Sequence, residues 1–230
     1  MHPLEKHERF EIEVLDFMHK KGLLNPLVFG GGTMLRLCFD LNRYSADMDF
    51  YFKGATDESE YFKRLLRQVG AEYGIADHQN KFNTILVELK DSKYPRCLKI
   101  EINKEKRYSI YRKAIAFSKY STHQVLLDAI PVEQMMFNKT EALLNRQEVR
   151  DAFDIEFLIR QGVGFAHGAE GAKKALSVIR GFATHDFNVK LGSLLPNDVR
   201  KYYRENRFNY LEGQLNQIIS NDIEPVRRGK

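Results

Sequence analysis

Tryptophan is absent from this 230-residue chain, and cysteine occurs only at Cys38 and Cys97. Two isolated thiols so far apart give neither a disulfide framework nor zinc-ligand spacing. The aromatic core material must come from sixteen Phe and eleven Tyr. Long apolar runs are missing too, since none approaches the ~18 residues a membrane-spanning helix needs. The opening residues, MHPLEKHERFEIEVLDF, are charged and lack the apolar centre of a secretory signal. These absences predict a cytoplasmic protein with no membrane partner. No internal repeat or low-complexity stretch is present.

What is there is ordinary globular composition, 43% hydrophobic and 29% charged, enough for one large domain or two small ones. The formal net charge of +5 makes an anionic partner plausible, whether nucleotide or nucleic acid. A soluble protein with lysine-rich faces would carry the same charge.

Along the chain, Phe10, Val14, Leu15 and Met18 recur at helical spacing. NPLVF then reads as a short buried strand, broken by GGGT. MLRLCFDL reads as a helix with Thr33 as its N-cap. DMDFYF alternates as a strand, and DESEYFKRLLRQVGAEYG is a helix with acidic residues in its first turn. NTILVELKD and RCLKIEINK flank SKYP, a hairpin signal. After Tyr120 the character changes, and the stretch from HQVLLDAI onward reads as helical, with a break at Pro131. The boundary between an α/β half and a helical half is placed at residues 120/121.

In DMDFYF, side chains alternate between faces. Met48, Phe50 and Phe52 form a core face; Asp47, Asp49 and Tyr51 share the other. The two carboxylates would stand roughly 6.5–7 Å apart at their Cα atoms, and their repulsion calls for a cation. Mg²⁺ or Mn²⁺ suits such hard oxygen donors and keeps room for a phosphate. An exposed strand that happens to carry two aspartates is the plainer alternative. The preceding turn favours the cation, because Gly31 and Gly32 let backbone N–H groups approach a ligand and Thr33 opens a helix whose N-terminus attracts phosphate.

Gly31, Gly32 and Thr33, then Arg43, Tyr44, Ser45, Asp47, Asp49 and Phe50, resemble the core motif of DNA-polymerase-β-like nucleotidyltransferases. Within that superfamily they are most similar to the AbiEii toxin family of type IV toxin–antitoxin systems. The resemblance implies an α+β fold, a mixed sheet with flanking helices as the core (residues 1–120), followed by an all-helical domain (residues 121–230). It implies NTP as substrate, Mg²⁺ or Mn²⁺ as cofactor, and Arg43 and Ser45 beside Gly31, Gly32 and Thr33 in nucleotide binding. Members of the superfamily add a third carboxylate from a neighbouring strand. Glu101 in LKIEIN is the better candidate and Glu88 the weaker, although Lys99 beside Glu101 also fits a merely exposed strand face.

A second segment, NKTEALLNRQEVRDAFDIEFL, carries Lys139 within an apolar helical stripe, with Asp151 and Asp154 one turn apart further on. By itself the pattern fits a buried Lys–Asp pair stapling two helices. The family resemblance instead implies that Lys139 contacts the triphosphate and Asp151 serves as a catalytic or structural acid, with Asp154 second. Asn138 departs from the family, where an acidic residue is common before the lysine.

The reaction so implied moves a nucleoside monophosphate from an NTP to an RNA, including tRNA, or to a protein, with an AbiEi-like antitoxin that need not bind directly. VRKYYRENRFNY, with Arg200, Lys201, Arg204 and Arg207 among aromatics, fits either an RNA groove or an amphipathic helix packed inward. Two other readings are a catalytically silent nucleotide-binding module and a HEPN-type ribonuclease, the latter from the Arg-x4-His spacing of Arg180 and His185.

Overall fold

The structure, a computed structural model, describes residues 2–223. The chain forms two compact units, one ending at Pro131 and the other beginning at Val132.

The first unit opens with α1 (Pro3–Lys20), whose start is a capping box. His2 accepts from the Leu4 N–H at 3.3 Å, the Glu5 carboxylate accepts from the His2 N–H at 2.7 Å, and Pro3 supplies the pre-set first turn. There follow β1 (Leu27–Gly30), α2 (Gly31–Phe39), β2 (Asp47–Phe52), α3 (Glu58–Gly70), β3 (Gly74–Asn80), β4 (Thr84–Lys90), β5 (Leu98–Arg107), β6 (Arg112–Phe117) and β7 (Gln124–Ala129). Asp57 caps α3, accepting from the Glu60 N–H at 2.9 Å.

All seven strands form one mixed sheet in the order β3-β4-β5-β2-β1-β7-β6. β2 runs parallel to β5 and β1 parallel to β7; the other pairs are antiparallel. The core lies on the side carrying Met48, Phe50 and Phe52, all essentially inaccessible. Phe29 stacks on Phe50 at 4.9 Å between ring centroids, and Tyr61 of α3 meets Phe52 edge-on at 5.4 Å. The opposite side of β2, with Asp47, Asp49 and Tyr51, is half-exposed, as the alternation in DMDFYF predicts.

Two local expectations are corrected. Residues 124–129 form β7, not helix. The run VLLDA has no period that separates a buried strand from a helix, and its pairing with β1 and β6 decides the matter. The cap of α2 is Gly30, in extended conformation, and not Thr33, which lies in the first turn with its hydroxyl donating to the Asp47 carbonyl at 2.6 Å.

The second unit is wholly helical among the described residues. It contains α4 (Val132–Arg146), α5 (Val149–Arg160), α6 (Gly168–Arg180), a π-helical stretch Asp186–Leu191, a 3-10 turn Gly192–Leu194, α7 (Asn197–Asn206) and α8 (Asn209–Ile223). Its aromatic core joins Phe153, Tyr203, Phe208, Phe187 and Phe182. The expected α+β class with a helical C-terminal part is therefore the architecture observed. Among the described residues no helix is long and apolar enough to cross a membrane.

Candidate active site

The register of the sheet assembles the acidic face. Asp47 is opposite Lys99 and Asp49 is opposite Glu101 across the parallel β2–β5 pair. On the far side of β5, Glu88 is opposite Lys99 and Leu86 opposite Glu101. Directly opposed residues share a face and neighbouring strands lie ~4.8 Å apart. Asp47, Asp49 and Glu101 thus form one patch, and Glu88 lies one strand further out.

Lys99 supplies the positive charge in this patch. It is ion-paired with Glu101, and its ammonium is held above the ordinary lysine range by that hydrogen bond, with further support from the charges of Glu101, Asp47 and Asp49. Among the described residues no three His, Cys, Asp or Glu side chains already stand as a cation cage. The donor chemistry nonetheless fits a divalent ion: hard carboxylate oxygens from adjacent strands, with a lysine ammonium standing where positive charge is demanded.

The glycine turn is shaped by this face. Gly31 has φ +75°, in the left-handed region, and a Cβ there would lie 1.9 Å from Asp49 Oδ2. At Gly32 a Cβ would lie 2.5 Å from an Arg43 guanidinium nitrogen and 3.0 Å from Ser45 Oγ. The first turn of α2 is thus pressed against Asp49, Arg43 and Ser45, with only backbone between. The N–H groups of a helix's first turn have no acceptor within the helix, so they are available to an anion. Arg43 is buried and donates to the Tyr44 carbonyl at 3.0 Å. Thr33 is fully buried with its hydroxyl committed to Asp47, which leaves its backbone N–H as the group it offers.

Beneath the aspartates lies a polar cluster that the sequence reading does not name. Glu8 accepts from Arg36 Nε at 2.9 Å and from the Ser118 hydroxyl at 2.6 Å. His7 and Glu11, each 1% exposed, lie beside it. Burial lowers the His7 pKa, so its ring is neutral, and burial together with Glu8 raises that of Glu11 well above the ordinary carboxylate range. A signal was present: residues 7, 11, 14, 15 and 18 recur at helical spacing, so two ionisable groups occupy the apolar stripe.

In the second unit, Lys139 on α4 lies 2.7 Å from Asp154 Oδ2 and 3.6 Å from Asp151 Oδ1, both on α5. Arg146 closes the cluster with two hydrogen bonds of 2.7 Å to Asp151. Asp151 and Asp154 are fully buried and Lys139 nearly so. The structure thus brings Lys139, Asp151 and Asp154 together in one unit, and Gly31, Gly32, Thr33, Arg43, Ser45, Asp47, Asp49 and Glu101 together in the other.

Of the remaining sequence candidates, some face inward and others are exposed. Tyr203 and Phe208 face inward, and the Tyr203 hydroxyl donates to the buried Glu156 at 2.9 Å. Lys201, Arg204 and Arg207 are exposed, whereas Arg200 donates to the Leu195 carbonyl. Arg180 is tied to Glu212 at 3.0 Å, and His185 is exposed.

Comparisons with known proteins speak to the family and the fold. The family model described as "Nucleotidyl transferase AbiEii toxin, Type IV TA system" matches residues 16–218. Among solved structures, JHP933 from Helicobacter pylori superposes with a TM-score of 0.55 at 19% identity, covering 95% of this chain and 96% of its own. A second H. pylori chain, solved as a candidate nucleotidyltransferase, gives a TM-score of 0.52 at 16% identity, covering 90% of this chain and 96% of its own. At such identities the likeness concerns the fold. No curated protein matches the sequence.

Proposed function

Because the chain belongs to the AbiEii nucleotidyl transferase toxin family of type IV toxin–antitoxin systems, we propose that it transfers a nucleoside monophosphate from an NTP to a hydroxyl on RNA, tRNA included, or on protein. One observation carries this reading: Asp47, Asp49 and Glu101 share an open sheet face, and the backbone of Gly31 abuts the Asp49 carboxylate.

In this proposal the N–H groups of Gly31, Gly32 and Thr33 bind the β- and γ-phosphates, and Arg43 and Ser45 hold that turn in place. Asp47, Asp49 and Glu101 would hold Mg²⁺ or Mn²⁺, which when bound supplies neutralising charge and a lowered acceptor pKa. The acceptor oxygen bonds to the α-phosphorus while the bond from that phosphorus to the α,β-bridging oxygen breaks, and pyrophosphate leaves with the electron pair. The carboxylate patch is the local base for the acceptor's proton. Lys139 enters the proposal through the family resemblance alone, which implies a role toward the triphosphate's charge. Asp154, 2.7 Å from the Lys139 ammonium, and Asp151, 3.6 Å away and itself fixed by two Arg146 hydrogen bonds, together orient Lys139. A cognate AbiEi-like antitoxin is part of the proposal, acting without obligatory contact.

The test is incubation of the purified protein with α-labelled NTPs, Mg²⁺ or Mn²⁺, and total RNA. Label should enter RNA or protein with the wild type and be lost in Asp47→Asn and Asp49→Asn. If either variant labels as well as the wild type does, the carboxylate assignment is wrong.

A further inference from the structure

The sheet has two edges, and they are built differently. β3 closes one side with Asp77, His78, Gln79 and Asn80, all exposed, and with a break in register between Ile75 and Asp77. Polar side chains and irregular register discourage the pairing of a further strand. β6 closes the other side without these devices. Its six residues, RKAIAF, pair with β7 in unbroken register from Arg112 opposite Ala129 to Phe117 opposite Gln124. Its charges are confined to the first two positions. On the inner face of this hairpin Ala116, Val125 and Leu127 are buried. The outer face is apolar as well. Ile115 and Leu126, directly opposite each other, are each 52% exposed, and Phe117 is 45% exposed. A contiguous apolar patch on the last strand of a sheet suits the addition of another strand.

The order of residues along β6 favours a second copy of itself. Two antiparallel copies related by a two-fold axis perpendicular to the sheet keep their outer faces on the same side. Residues of the same face then stand opposite one another. With the axis at Ile115, Ile115 meets its counterpart and each Lys113 meets the second copy's Phe117. The apolar row of Leu126 and Ile115 continues into the same two residues of the second copy. Each Lys113 ammonium, 2.8 Å from Asp128 Oδ1, gains an aromatic ring on its other side. Ala114 and Ala116 meet on the inner face, where their small side chains offer no obstacle. No like charges are opposed in this register, whereas a parallel copy would set Lys113 against Lys113.

We propose that β6 is the interface of a two-fold symmetric homodimer, in which the β6 edges of two chains pair antiparallel about Ile115 into one continuous sheet. The inference stands apart from the nucleotide chemistry, since no residue of the carboxylate patch or the glycine turn takes part in it.

The test is sedimentation velocity on the full-length protein, whose single chain is 26.9 kDa. At about 50 μM, above the Kd of a micromolar interface, the wild type should sediment at twice that mass. Phe117→Lys opposes cations at two symmetry-related places and should raise the dimer Kd about 100-fold. Phe117→Glu sets a carboxylate opposite Lys113 instead and should stay within about threefold of wild type. Phe82→Lys, a surface change between β3 and β4 at the other edge, should leave the Kd unchanged. Register is read by copper-catalysed oxidation of Ile115→Cys in a Cys97→Ala background. Directly opposed Cβ atoms lie about 4.5–5.5 Å apart, near enough for a disulfide-linked dimer to form, and Phe82→Cys should not cross-link. A monomeric wild type overturns the proposal and leaves the edge to a strand of another protein. A dimer that survives Phe117→Lys overturns it as well, and equal losses in Phe117→Lys and Phe117→Glu overturn the register. Should Phe117→Lys fail to fold, the Ile115→Cys cross-link decides alone.

Discussion

Replacing Gly31 by alanine tests the link between the glycine turn and the acidic strand most directly. Two costs arise from one methyl group. The first is conformational: Gly31 has φ +75°, and an L side chain in the left-handed region costs about 1–2 kcal/mol. For a chain of this size that lowers the melting temperature by roughly 2–8 °C. The second is positional. The new Cβ would lie 1.9 Å from Asp49 Oδ2, 2.8 Å from its Cγ and 2.9 Å from its Cβ. All three atoms belong to the short side chain of a strand residue, so rotation of the tip alone gives no relief. The carboxylate must retreat by about 1 Å, and a misplacement of that size costs a reaction about 10²-fold. Nucleotide transfer, followed as label from α-labelled NTP, should therefore fall about 100-fold while the protein remains folded. Gly54→Ala serves as the control, because nothing lies within 4 Å of its added methyl. A Gly31→Ala protein that melts lower but transfers label within about threefold of wild type would refute the argument, since the 1 Å retreat predicts a far larger loss.

Three further outcomes follow from individual charged groups. Lys99→Met removes the ammonium from the carboxylate patch, so Mn²⁺ should bind about fivefold more tightly, one screened charge–charge interaction; unchanged or weaker affinity by titration calorimetry contradicts the stand-in role of Lys99. Lys139→Ala withdraws the ammonium 2.7 Å from the buried Asp154 and should cost about 3–5 kcal/mol by urea denaturation. Adding Asp154→Asn should recover part of that loss, and no recovery counts against the pairing. Asp128→Asn probes pH: burial alone would raise the Asp128 carboxyl, but hydrogen bonds from Lys113 and Lys53 hold it below its ordinary value. A depressed native pKa stabilises the fold above the unfolded value, and that contribution is lost as pH falls through the native value. The wild type should be the more stable at pH 7, with the gap closing on acidification below about pH 4; a gap constant down to pH 3 would be inconsistent with it.

The legible parts of this protein are those where local pattern and burial agree. DMDFYF alternates and is half-buried in that sense, and LKIEIN places Glu101 on the face of Asp49 through register alone. β3 was invisible because its residues, GIADHQN, are almost wholly exposed and carry no alternation. β7 was misread because its apolar run takes its meaning from β1 and β6, which only the sheet brings beside it. Thr33 shows a subtler limit: a threonine near a helix start suggests a cap, yet its hydroxyl reaches a carbonyl fourteen residues on. Lys139, Asp151 and Asp154 form the buried pairing that spacing suggested, while their role toward nucleotide comes from family likeness.

The two parallel pairings have a consequence for how the protein comes into being on the ribosome. β1 and β2 emerge early and can pair at once, but β5 must arrive before Glu101 stands beside Asp49. β7, which completes the other side of β1, follows β2 by about seventy residues, several seconds of synthesis at ~5–20 residues per second. Distant pairings of this kind form slowly because loop closure precedes their reward. A nascent chain therefore carries both aspartates long before it carries an assembled acidic face. Topology thus defers the acidic face on which the proposed nucleotide transfer rests until most of the first unit has been translated.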